Sequence, residues 1–187
     1  GQAEAVNVKL AFAPESKVRT AVYRLDYVQT KAGMMPDIAV PLKAALAIPA
    51  KDDPEAAGQT NASVLCEAYV PHGAAAGPAK GQLTVAVDGQ TLQVQVELSV
   101  WNFTLPNTLS WVPEMNAYGT GGPEKEGLAY YRLAHEHRTC LTRLYYHWNG
   151  MADYPPKGEA EKLDWTTWAQ QFGPLFTGQA FKGLPRD

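Results

Sequence analysis

The feature that most constrains this chain is the dipeptide Asp88-Gly89, set between two runs of alternating apolar and polar residues. Gln82 to Val87 precedes it and Gln90 to Phe103 follows it. In the second run Leu92, Val94, Val96, Leu98 and Val100 point one way, while Gln93, Gln95 and Glu97 point the other. A period of two is that of a strand, and both turn residues tolerate the positive φ that a tight hairpin requires. The segment therefore predicts a β-hairpin with one face in the core and one in water.

Similar signals recur upstream. Val6 to Phe12 alternates, with Val6, Val8, Leu10 and Phe12 on one face, and Thr20 to Gln29 repeats the pattern. Ser63 to Val70 is a further strand, and Ala44 to Pro49 a weaker one between two prolines. Segments 29–43 and 50–62 are expected to be long loops, with turns at Asp52-Asp53-Pro54 and Gly58-Gln59. Several short strands with Gly/Pro turns and no helical period predict an antiparallel β-sandwich over residues 1–103.

The character changes near residue 104, after which four of the five tryptophans occur. Leu109 to Tyr118 reads as a strand, followed by the Gly-rich loop Gly119 to Gly122. Pro123 to Cys140 reads as a helix, with Pro123 in its first turn and Glu124 and Glu126 at its positive end. Leu141 to Trp148 is a second strand. Asp164 then caps a helix that reaches Phe172 or beyond and carries Trp165, Trp168 and Phe172 on one stripe. Strand, helix, strand, helix calls for parallel pairing, so residues 104–187 are expected to form two βα units. The fold class predicted for the whole is α+β: a β-sandwich followed by the start of a (β/α)8 barrel.

Charge and motifs exclude several functions. A net charge of −3 leaves no basic excess to neutralise a polyanion, so nucleic acid is not an expected partner. No run of 18 apolar residues exists to span a bilayer as a helix. His135-Glu136-His137 does not make a metal pair, because positions two apart on a helix project about 200° apart. The HExxH, GxSxG, GxGxxG and Walker patterns are absent. No cofactor and no metal are expected. Asn61-Ala62-Ser63 and Asn102-Phe103-Thr104 match the N-glycosylation triplet. Cys66 and Cys140 are either two separate buried thiols or a bridge stapling the halves. The start at Gly1 fits a processed signal peptide or an engineered beginning.

In parallel β/α architectures the site lies at the C-terminal ends of the strands. The first such end supplies Glu114, Asn116 and Tyr118, and the second supplies His147, Trp148 and Asn149. Amides and carboxylates pair with sugar hydroxyls, and flat aromatic faces cover the apolar side of a sugar ring. These six are the candidate substrate-binding residues, for a glycan. Each taken singly is as readily a packing aromatic or a surface charge.

Residues from about Gly58 to Phe181 resemble bacterial proteins related to glycoside hydrolase family 123, the β-N-acetylgalactosaminidase type. The matching stretches are Tyr69-Val70-Pro71, the Gly81 strand, Val100 to Pro106, Glu114 to Gly119, Tyr131 to Arg138 and Phe172 to Leu175. The resemblance implies a sandwich joined near Trp101 to Pro106 to a catalytic barrel, in which the substrate acetamido group attacks and an Asp-Glu pair assists. No Asp-Glu dipeptide occurs in this sequence, so no catalytic residue carries over. A barrel of this kind takes about 250 residues, and fewer than about 90 follow the junction. Either a C-terminal region is missing, or another chain completes the barrel, or the segment is a recruited non-catalytic module. The expected function is part of a glycoside-hydrolase-like protein that is not catalytic by itself. The alternative is a non-catalytic binding or structural subunit of a larger assembly. A secreted or periplasmic setting follows from the resemblance.

Overall fold

The computed structural model describes residues 2–50, 59–115, 125–141, 157–159 and 162–184. The chain divides into two units, Gly1–Thr104 and Leu105–Asp187.

The first unit holds seven strands: β1 (Ala3–Phe12), β2 (Arg19–Thr30), β3 (Gly33–Pro41), β4 (Leu46–Ile48), β5 (Ser63–Tyr69), β6 (Gly77–Val87) and β7 (Gln90–Val100). They form two antiparallel sheets, one in the order β4-β1-β6-β7 and one in the order β3-β2-β5. A 3-10 turn, Pro14–Ser16, carries the chain from β1 in one sheet to β2 in the other. Ser16 Oγ donates to Ala13 O (2.7 Å) and accepts from Val18 N (3.2 Å). Thr20 Oγ1 donates to Leu10 O (2.8 Å), a bond that links the two strands beyond the turn.

Alternation sets the faces of β1: Val6 and Leu10 are buried while Asn7, Lys9 and Ala11 face water. Beside it on β6, Gly81 lies opposite Phe12. A Cβ there would sit 2.8 Å from both Ala11 O and the Phe12 ring, so glycine is what lets the strands close up. Asp88 (φ 45°) and Gly89 (φ 87°) both take left-handed backbone, and β6 pairs with β7 from Val87↔Gln90 to Gly77↔Val100. That is the predicted hairpin.

Residues 29–43, expected as a loop, instead contain β3. Its turn from β2 is held by Thr30 Oγ1, which donates to Gly33 O (2.7 Å) and accepts from Ala32 N (3.1 Å). β3 holds Pro36 and Pro41, which an edge strand tolerates where the missing N–H points away from the sheet. The pairing also slips between Asp26 and Tyr27, leaving Asp37 bulged.

The second unit is built on α1 (Lys125–Glu136), α2 (Thr166–Phe176) and two short strands, β8 (Glu114–Met115) and β9 (Cys140–Leu141). Tyr131, Ala134 and Leu141 form its buried cluster, with Leu175 and Phe181 packed against it. Phe172 is fully buried. Arg132 ties α1 to the C-terminal 3-10 turn, Gln179–Phe181, by donating to Ala180 O and to Lys182 O.

The predicted fold class is overturned here. The described residues form mainly antiparallel sheets with two short helices, and they carry no barrel-like βα repeats. Of the strand expected over Leu109 to Tyr118, the described part yields only Glu114–Met115. Of the strand expected over Leu141 to Trp148 only Leu141 is described, in the strand Cys140–Leu141; the rest lies outside the described residues. The two pair in parallel, Glu114↔Cys140 and Met115↔Leu141. Among the described residues these two register positions are all the parallel pairing there is, short of the ladder on which a barrel wall is built. A sandwich followed by two βα units is therefore not the architecture of this chain.

Candidate functional site

The residues expected to bind substrate are only partly placed. Glu114 lies on β8, exposed, opposite Cys140. Asn116, Tyr118, His147, Trp148 and Asn149 lie outside the described residues. Around Glu114 the polar contacts serve the backbone. Pro113 O accepts bonds from Cys140 N (3.0 Å), Thr139 Oγ1 (2.6 Å) and Cys140 Sγ (3.6 Å). Burial pushes the Cys140 thiol pKa up, and the Glu114 carboxylate adds to that shift. Cys66 is also raised by burial, and both thiols are free. Neither is poised as a nucleophile, since the thiolate is the reactive form.

The histidines separate as helical geometry requires. His135 is half-buried and stacks on Phe181, with ring centroids 3.9 Å apart and planes 4° from parallel, while His137 faces water. Among the described residues no group of three His, Cys, Asp or Glu side chains is arranged to hold a metal. A small apolar cleft of about 180 Å³ lies between Tyr131, His135, Leu141 and Phe176. In the first unit a wider groove of about 540 Å³ runs past Glu4, Arg24, Leu42 and Lys43. Its most buried cation, Arg24, is neutralised by Asp26, with Nε 2.9 Å from Oδ1. Neither hollow gathers the convergent polar groups of a catalytic or sugar site.

The most unusual surface is β7. It ends the four-stranded sheet, and no described strand pairs with its outer edge. Burial on the apolar face falls away across the sheet. Val6 and Leu10 on β1 are 5% and 7% exposed, whereas Leu92 and Val94 on β7 are 63% and 43% exposed. The expectation that this face of β7 lies in the core is corrected for its first half. Alternation shows which face is apolar, but not whether a second layer reaches it. The water-facing side carries Thr91, Gln93, Gln95, Glu97 and Ser99, with Glu97 opposite Lys80 and Gln93 accepting from Gln82 Nε2 (3.4 Å). The strand runs on into exposed Trp101 and Phe103, whose rings meet at 5.7 Å.

No model of a protein family matches the chain, and no curated protein matches it.

Proposed function

We propose that this chain is a non-catalytic binding or structural module that joins a larger extracytoplasmic assembly by accepting a β-strand along the outer edge of β7. The supporting observation is that eleven-residue edge, unpaired among the described strands and flanked by exposed Leu92 and Val94. A free edge offers a row of backbone donors and acceptors, and apolar side chains beside it add contact for an incoming strand. The extracytoplasmic setting rests on the resemblance to glycoside hydrolases alone.

The test is addition of a soluble peptide of alternating valine and threonine to the dilute chain, with amide hydrogen exchange read along β7. Saturable binding and slowed exchange between Gln90 and Val100 are expected. A peptide with proline at alternate positions should do neither. Unchanged β7 exchange at saturating valine-threonine peptide would falsify strand addition.

A further inference from the structure

The sheets of the first unit have four outer strands, and three of them are blunted. β4 has only three residues. β3 carries Pro36, Pro41 and the bulged Asp37. β5 has seven residues, with the carboxylate Glu67 in its second half and Pro71 just beyond it. Short length, proline, bulges and charge are the usual devices against unwanted pairing. Over Gln90–Val100, β7 is the least defended: it has eleven residues, no proline, no lysine, and Glu97 as its one charge.

β7 is also complementary to itself. Laid antiparallel on a copy with Gln95 opposite Gln95, all eleven residues overlap. Val94 then meets Val96, Leu92 meets Leu98, Thr91 meets Ser99, and Gln93 meets Glu97. On one face apolar side chains stand beside apolar ones at the four central pairs, with Gln90 beside Val100 at each end. On the other, an amide donor faces the lone carboxylate and no like charges meet. Continued past the strand, this register brings each exposed Trp101 beside the Asp88-Gly89 turn of the other copy.

Resting on the strand-addition reading, we propose that the occupant of the edge is a second copy of this chain. β7 pairs antiparallel with β7 about a two-fold axis through Gln95, joining two four-stranded sheets into one of eight. The interface is isologous, so it closes at the dimer and leaves no further β7 edge to propagate.

Sedimentation or light scattering of the full chain tests this directly. The unaltered protein should show twice the mass of one chain. Gln95→Lys sets two ammonium groups against each other across the axis, and Gln95→Glu sets two carboxylates. Each should weaken the dimer at least about tenfold, with an unchanged melting curve for the monomer because position 95 faces water. An equimolar mixture of the two variants should recover the dimer mass. A chain that stays monomeric to its highest soluble concentration overturns the proposal, as does a dimer that both variants leave intact. A monomer whose β7 amides are still protected by the valine-threonine peptide refutes the dimer alone. A monomer indifferent to that peptide refutes strand addition as well.

Discussion

The two units hold their order by different means. The first is a set of long ladders around few buried side chains, Val6, Leu10, Leu46 and Ala79. The second has short elements, but they close on buried side chains: Tyr131, Ala134 and Leu141 in one cluster, and Phe172 and Ala180 also buried. In one case main-chain pairing fixes the geometry and leaves apolar faces in water. In the other apolar contact fixes the geometry, and among the described residues pairing between its strands spans two positions. A sheet-built unit can therefore spare an edge for a partner, whereas the helical unit depends on its side chains meeting each other.

The sharpest way to break this contrast is Phe172→Ala. Removing the ring from its fully buried position should cost about 4 kcal/mol. Chemical denaturation should show the helical signal lost early while the strand signal persists. Simultaneous loss of both would mean that the units do not differ as argued. Leu10→Ala in the thin core of the first unit should cost less, about 2.5 kcal/mol, and act on the strand signal. Gly81→Ala tests ladder closeness rather than core volume. The new methyl must displace Ala11 O or the Phe12 ring, for a loss of about 1.5 kcal/mol with the β1–β6 amides exchanging faster.

The smallest effect belongs to the start of α2. Asp164 Oδ1 accepts from Thr166 Oγ1 (2.5 Å) and Thr166 N (2.9 Å), and these bonds lower its pKa, with Lys157 assisting. A carboxylate with a depressed folded pKa stabilises above its unfolded value, and that contribution disappears as pH falls through the folded one. Asp164→Asn should therefore flatten the acid side of the melting profile of the second unit slightly. An identical acid slope in the two proteins would count against a stabilising role for the Asp164–Thr166 bonds.

How much of this was legible depended on whether the information was local. The Asp88-Gly89 turn was, because two positive-φ residues between alternating runs admit few alternatives. The β1, β2, β5, β6 and β7 segments followed from their period; the N-cap of α2 was expected at Asp164 but falls at Trp165, with Asp164 bonding Thr166 from one residue farther out. β3 was missed because residues 29–43 were read as a long loop; its place at an edge makes Pro36 and Pro41 compatible with a strand. The barrel expectation failed for the complementary reason. Apolar runs beside a helix do not specify how many residues a ladder will hold. Of the expected substrate-binding residues, only Glu114 falls in the described structure, on the exposed short strand. The β7 edge escaped notice because exposure of Leu92 and Val94 depends on how far the other sheet extends, which no local pattern encodes.

The clasp made by Arg132 has a consequence for biosynthesis. Its acceptor at Ala180 lies 48 positions farther along the chain. Emerging at about 5–20 residues per second, the ribosome leaves the apolar side of α1 without its final cover for roughly 2–10 s. The strands β1 to β7 are all translated before α1 appears, so their ladders can form during that interval. The helical unit is left as the late step of maturation.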